Sequence, residues 1–345
     1  MFFSLIKPLL FSLPAERAHE LTLSIAHLGP VLGKLTGKSC SDRLSLKIGQ
    51  SQWLSPIGLA AGLDKNAEAL AFFAHQGFGA LECGTVTLQS QAGNPKPRLF
   101  RYPQELSLRN SMGFPNEGLL KIGPRLSAFE HVIPIGVNIG KNKDSTPGES
   151  IDELGTLLVS LEDDADYFVI NVSSPNTPGL RALQEKAYLS ELFSELKSFS
   201  QKDLYLKIAP DLEDKKVIEL AELAADFKLT GLIATNTTMM PERGPGGISG
   251  NLLKEKARKI HQLILNQQLP IELIGVGGIA SFQDIKNFWK DGGKAVQVYT
   301  AYIYQGPDLL KNINKEMIHF LDQNQLPNLE DFFKLDLKSR NQLLH

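Results

Sequence analysis

The sequence predicts an α/β chain folded as a (β/α)8 (TIM) barrel, and three observations lead there. Eight short apolar runs recur, at 57–61, 80–84, 133–139, 167–172, 204–209, 231–234, 271–276 and 295–299. Most are rich in Val, Ile and Leu, as expected of parallel strands buried on both faces. Helical patterns lie between them, for example at 149–162, 213–227 and 252–266. Each run also closes on glycine or polar residues at its C-terminal end. Eight such units in roughly 250 residues are what a (β/α)8 barrel requires. A doubly wound sheet is the alternative; it usually carries a Gly-x-Gly-x-x-Gly turn after its first strand, and none is present.

Composition excludes several classes. The chain has 345 residues, 42% hydrophobic, with a net charge of −2. No basic block interleaves with aromatics, so nucleic acid is not an expected partner. Cys40 and Cys83 stand far apart, which suits a reducing compartment without disulfides. The seven histidines are scattered, and none has a zinc-like spacing to Cys, Asp or Glu, so no metal site is expected. No apolar run approaches the ~20 residues of a membrane span.

In order, residues 1–40 read as an arm of two amphipathic helices. Phe2, Ile6, Leu9 and Leu13 recur at helical spacing. Pro14 opens a second helix, on which Ala18, Leu21, Ile25 and Leu28 share a face. Pro8, Pro14 and Glu16-Arg17 make a secretory signal a poor fit. The arm either packs on the main domain or presents an apolar face to a membrane surface. A strand meander through Leu44, Leu46 and Ile48 turns at Gly49. The barrel domain then spans 41–325. Its second strand is followed by an insertion, 87–115, in which Leu99-Phe100 and Leu106-Leu108 flank a Pro103-Gln104-Glu105 turn; this predicts a hairpin over one end of the barrel. Residues 326–345 form a tail of unassigned role.

A barrel gathers the C-terminal ends of its strands into one mouth, where sites are built. Those ends carry Gly62-Leu63-Asp64-Lys65, Gly84-Thr85, Asn138, Asn171 with Ser173, Ser174 and Asn176, then Lys207, Thr235-Asn236-Thr237, Gly277-Gly278 and Tyr299-Thr300. The stretch 167–180 is the densest: a β-branched run, four polar side chains, then Pro175 and Pro178 fixing the loop. An Asn/Ser turn with local backbone caps is the plain explanation, but convergence at most strand ends favours a polar ligand site. Lys207 lies within a strand, between Leu206 and Ile208. It either snorkels to water or meets an anionic partner, which an anionic cofactor ring would supply. Gly277-Gly278 and Thr300 occupy the phosphate position of such barrels. The ligand read from these residues is a phosphorylated cofactor lying across the mouth. Ser174 is the nearest candidate catalyst. No histidine falls at a strand end, so a Ser-His-Asp triad is unsupported. A serine could instead take a proton from a carbon acid while a flavin takes a hydride.

The segments AAGLDKN, GNPKPRLFR, NSMGF, GVNIGKNK, NVSSPNTPGLR, KIAPDL, ATNTT, GGISG, IGVGGI and VQVYT, in unbroken order over about residues 10–320, resemble the quinone-dependent (class 2) dihydroorotate dehydrogenases. The resemblance implies one FMN per chain in a (β/α)8 barrel, oxidation of dihydroorotate to orotate in pyrimidine (UMP) synthesis, and a respiratory quinone as electron acceptor. It makes Ser174 the catalytic base, where the soluble class 1 enzymes carry cysteine. It assigns Lys65, Asn110, Ser111, Met112, Gly113, Phe114, Asn171, Asn176, Asn236 and Thr237 to the substrate, with Lys65 on its carboxylate. Ala61, Gly62, Leu63, Asp64, Lys65, Thr85, Asn138, Asn171, Lys207, Thr235, Gly250, Gly278, Tyr299 and Thr300 fall to FMN. His19, Arg101 and Tyr299 fall around the quinone headgroup, with the arm as quinone entrance. The implied protein is a monomer, peripheral to a membrane, on the cytoplasmic face of the inner membrane if bacterial.

The sequence departs from the family pattern in three places. Ser111 replaces a larger residue, the loop between ATNTT and GGISG is short, and the tail exceeds the match. Two other readings stay open: another FMN barrel such as a tRNA dihydrouridine synthase, against which the acidic balance argues, and an inactive flavin-binding membrane scaffold, against which the intact Ser174, Lys65 and asparagine set argues.

Overall fold

The computed structural model describes residues 2–26, 40–176 and 184–344. Leu28 of the expected second helix, Pro178 and the end of NVSSPNTPGLR lie outside them. Eight parallel strands close the barrel: β1 (Ile57–Leu59), β2 (Ala80–Val86), β3 (Ile135–Ile139), β4 (Tyr167–Asn171), β5 (Asp203–Ile208), β6 (Gly231–Ala234), β7 (Glu272–Val276) and β8 (Ala295–Val298). They follow one another around the barrel in chain order, β8 pairing back to β1. All eight apolar runs are strands, and helices Pro147–Ser160, Asp214–Asp226 and Asn251–Leu265 fill three of the expected positions. Local chemistry starts these helices where they start. Thr146 and Glu149 form a reciprocal capping box, and Ser281 caps helix Phe282–Lys290, each satisfying backbone donors that helix ends leave open.

The barrel interior divides into two halves. Toward the N-terminal ends it is apolar: Trp53, Tyr167, Val169, Tyr205, Ile233 and Ile274 pack together. Trp53 comes from a hairpin, Leu46–Ile48 with Ser51–Trp53, that plugs this end and stacks its indole on Tyr167 at 6.2 Å. Polar side chains therefore collect in the other half, at the mouth. The tail, described over 326–344, is part of the packed body. It forms helices Leu329–Lys334 and Leu337–Leu343; Leu329 and Phe332 are fully buried, with Phe332 5.4 Å from Trp289.

Over the mouth lies a second sheet. The expected hairpin forms from Leu99–Tyr102 and Ser107–Asn110, and it is extended by Gly247–Gly250 and Thr238–Met239 into four antiparallel strands. The short loop after β6 is thus folded into the same roof as the insertion after β2. Arg243 ties the two, reaching Glu105 at 2.9 Å.

The arm is α1 (Phe2–Ser12) and α2 (Ala15–Ala26). It docks through charges: Arg98 meets Glu16 at 2.9 Å and Lys96 meets Glu20 at 2.7 Å. Arg101 donates to the carbonyls of Phe11 and Leu13 at 3.1 Å each, capping the end of α1. The docked faces differ from the expected stripes. Ala18 and Ala26 are buried, while Leu5, Leu9, Leu21 and Ile25 are exposed, Leu5 by 77% and Leu9 by 68%. Small alanines let α2 approach the hairpin closely, so packing selects them and leaves the bulkier leucines facing out. No described helix is long and apolar enough to cross a membrane.

Candidate active site

One cleft runs from the barrel mouth under the roof sheet toward the arm. Of the residues assigned from the sequence, Ala61, Gly62, Lys65, Thr85, Asn110, Met112, Gly113 and Phe114 line it. So do Asn171, Ser174, Asn176, Lys207, Thr235, Asn236, Thr237, Gly250, Gly278, Tyr299 and Thr300. Leu63, Asp64, Ser111 and Asn138 do not, nor do His19 and Arg101. Leu63 belongs to the apolar core. Asp64 turns inward and accepts from the amides of Glu68 and Ala69 at 2.8 Å each; burial pushes its carboxyl up. Ser111 uses its backbone, donating to the Arg98 carbonyl and accepting from Asn94. Asn138 stands one layer behind the wall.

The serine sits among amides. Ser174 is 4% exposed, and its Oγ accepts the backbone N–H of Asn176 at 3.2 Å. The Asn176 amide donates to Asn110 Oδ1 at 3.0 Å. The Asn236 amide donates to Ser173 Oγ at 3.1 Å, and Ser173 in turn donates to Asn171 Oδ1 at 3.1 Å. A molecule bearing amide edges would meet both donors and acceptors among these side chains. No histidine or carboxylate hydrogen-bonds Ser174 among the described residues, so its surroundings do not build a triad.

Among the described residues two cations face the cleft, and each has a partner. Lys65 Nζ donates to the Gly62 carbonyl at 2.6 Å and lies 3.5 Å from His19 Nε2. An ammonium cannot accept, so Nε2 is the acceptor and the His19 proton resides on Nδ1. Burial, and then the charge of Lys65, hold His19 down at about 3; burial lowers Lys65 to about 8. His19 therefore reaches the barrel's own lysine, while Arg101 is engaged with α1. Tyr299 donates to the Gly62 carbonyl at 3.3 Å, its phenol pushed up to about 12 by burial. Lys207 meets the carboxylate of Glu82 at 3.1 Å. The anionic partner expected from a ligand is thus supplied by the protein.

The last two strand ends form an open cradle. Gly250 and Gly278 both have positive φ, at 88° and 73°. Added Cβ atoms would lie 2.8 Å from Thr300 Cγ2 and 2.5 Å from Lys254 Cβ respectively. The backbone N–H groups of Gly278, Thr300 and Ala301 donate to nothing among the described residues. Ser249 and Thr300 hydroxyls meet beside them at 2.8 Å. Glycines, free amides and two hydroxyls suit a phosphate group.

Sequence reasoning missed Glu82, Gln297, Ser249 and Asn94. Glu82 was detectable in principle: a lone acid inside an apolar strand and a lone lysine inside another imply a pair. Asn94, which donates to the carbonyls of Ser111 and Asn176 at 3.0 Å, lies in a loop with no periodic signal.

A closed parallel barrel whose mouth joins a glycine-lined cradle, a buried lysine and an amide-ringed serine has the architecture of a (β/α)8 enzyme, with its site at the C-terminal ends of the strands. Comparison with known proteins narrows this. Residues 43–321 match the family model described as dihydroorotate dehydrogenase. The chain is similar to proteins named dihydroorotate dehydrogenase (quinone), 41% identical in Sulfurimonas denitrificans over 96% of this chain and 98% of that one, and 37% identical in a Nitratiruptor species over 98% and 100%. Among solved structures it resembles the dihydroorotate dehydrogenase of Eimeria tenella crystallised with ferulenol, with a TM-score of 0.83 and 34% identity over 92% of this chain and 94% of that one. The chain belongs to the dihydroorotate dehydrogenase family.

Proposed function

We propose that this enzyme oxidises dihydroorotate to orotate in pyrimidine synthesis, with FMN in the barrel mouth and a membrane quinone as final electron acceptor. The observation that carries the reading is the amide-ringed serine beside Lys65, in one cleft with the phosphate cradle. FMN, when bound, supplies the acceptor for a hydride. The residues present fit it: Gly250, Gly278, Ser249 and Thr300 would hold the phosphate, and Thr85, Asn171 and Lys207 the ring edges, with Asn138 behind them.

The remaining work falls to the chain's own side chains. Lys65 would pair with the substrate carboxylate by a charge-assisted bond. Asn110, Asn171, Asn176 and Asn236 would hold the pyrimidine amide edges, fixing which carbon faces Ser174. The Ser174 oxygen would take the C5 proton as hydride departs from C6 and pass its own hydroxyl proton on to solvent, in a cleft covered by the roof sheet. Met112, Gly113 and Phe114 would close the other wall.

The arm gives the second half of the reading. Leu5, Leu9, Leu21 and Ile25 present an apolar surface suited to lipid. His19, Arg101 and Tyr299 bound the approach from that surface to the cleft, which would let a quinone headgroup enter while its tail stays in lipid. The protein is accordingly read as a monomer held peripherally on the membrane, the inner membrane's cytoplasmic face in a bacterial cell. Incubation with dihydroorotate and a short-tailed quinone should form one orotate per quinone reduced; quinone reduction without orotate would overturn the substrate, and orotate formation indifferent to quinone would overturn the acceptor.

A further inference from the structure

Beneath the mouth lies a carboxylate that the chemistry above does not use. Glu82 sits mid-strand in β2, 1% exposed, and does not line the cleft. Its Oε1 accepts from Lys207 Nζ at 3.1 Å and from Asn138 Nδ2 at 2.7 Å, and its Oε2 from Gln297 Nε2 at 2.6 Å. These donors come from β5, β3 and β8, so one side chain ties four strands across the interior. The Asn138 oxygen in turn accepts from Thr85 Oγ1 at 2.6 Å and Asn171 Nδ2 at 3.0 Å. Lys207, Gln297, Thr85 and Asn171 all line the cleft. Every donor that Glu82 orients either faces the ligand or holds a residue that does.

Stability alone is a poor reason for this arrangement. Desolvating two charges costs about as much as their attraction returns, and an apolar pair of similar volume often does better. The function proposed above supplies a reason. Hydride transfer from dihydroorotate would bring two electrons and one proton to the flavin, while the C5 proton passes by way of Ser174 out to solvent. The mouth therefore gains one negative charge, which must leave again when both electrons pass to the quinone. An unopposed Lys207 would favour the charged state and hinder that departure.

We propose that Glu82 is a positioning residue that fixes Lys207 against the flavin and offsets its charge, holding the flavin's reduction potential low enough for electrons to move on to the quinone. The proposal rests on the mouth being a flavin site. With Glu82 in place the Glu82–Lys207 pair is neutral, and reduction adds its single charge to a neutral cluster. With Glu82 neutralised, reduction instead cancels an uncompensated cation.

The test is the potential of the bound flavin, measured on holoenzyme by equilibration with redox dyes. Glu82→Gln should favour the reduced flavin over wild type by at least about tenfold, equivalent to about 30 mV for a two-electron couple. It should also slow reoxidation by quinone relative to reduction by dihydroorotate. Glu82→Asp keeps the charge but is one methylene shorter; it should lose comparable thermal stability while the potential stays within about threefold of wild type. An unmoved potential in Glu82→Gln, or equal shifts in both variants, overturns the proposal. If Glu82→Gln does not accumulate as folded protein, Glu82→Gln/Lys207→Gln, which leaves no unpaired buried charge, is compared with Lys207→Gln. A higher potential in the double variant supports the assignment, and equal potentials overturn it. Wild type that binds no flavin would sink the function proposed above, whereas flavin-loaded wild type with unresponsive variants would sink only the role of Glu82.

Discussion

The charge on Lys65 should make substrate capture pH-dependent. Burial lowers its ammonium from 10.5 to about 8, since an enclosed cation loses hydration. Asp64 is the largest opposing influence. Only the protonated form can hold a carboxylate, so capture of dihydroorotate should be strongest below about pH 8. Above it the competent fraction falls tenfold per pH unit, so at about pH 9 kcat/KM should be roughly a tenth of its plateau, about 1.4 kcal/mol. The assay is initial orotate formation at dihydroorotate well below KM, from about pH 6 to 10, because kcat/KM reports the free enzyme. Lys65→Arg stays charged throughout and should lose the basic limb, whatever its absolute rate. Stability runs the other way. A lysine whose folded value is depressed costs stability while it is charged in both states, fully so below about pH 8, and that cost is relieved as pH rises toward the unfolded value near 10.5. Loss of activity through this window therefore cannot be put down to unfolding at Lys65. A kcat/KM flat from about pH 7 to 10 would refute the reasoning.

Ser174→Ala should slow flavin reduction by dihydroorotate by about 10²–10⁴-fold while orotate affinity changes little, and Ser174→Cys should keep part of the rate. Reduction at the wild-type rate in Ser174→Ala would remove the base assignment. Deleting residues 1–35 should leave the flavin bound and reducible by dihydroorotate but abolish turnover with a long-tailed quinone and its stimulation by lipid. Because the deletion removes His19 from beside Lys65 and opens that lysine to water, it relieves the burial that is the main cause of the lowering, which outweighs the loss of Glu16's opposing charge, so the basic limb should move to higher pH. An unchanged quinone half-reaction would rule out the entrance role.

The barrel was legible because each strand announces itself as an apolar run ending in polar residues, and a closed barrel can only bring those ends together. The same logic placed Lys207, Asn171, Ser174 and Thr235 at the cleft. It overreached at Leu63 and Asp64, because consecutive residues point in different directions: Lys65 faces the cleft while Asp64 folds back onto the amides of Glu68 and Ala69. The roof sheet was only half visible. Thr238–Met239 and Gly247–Gly250 are too short for alternation to register, and Ser107–Asn110, on which Gly247–Gly250 pairs, lies far away in sequence. The arm's helices were readable, yet not which face docks, since that depends on Arg98 and Arg101 from the hairpin. Glu82 could have been matched to Lys207 as a lone acid facing a lone lysine, but its bonds to Asn138 and Gln297 become visible only in the closed fold.

If the mouth holds FMN, dihydroorotate's electrons must pass through it on their way to the quinone. The most direct measurement is an anaerobic visible-spectrum titration of the purified full-length protein. One FMN per chain is expected, with complete bleaching by an equivalent amount of dihydroorotate and return of colour on adding quinone. A bound FAD, or an FMN that dihydroorotate leaves oxidised, would contradict that expectation.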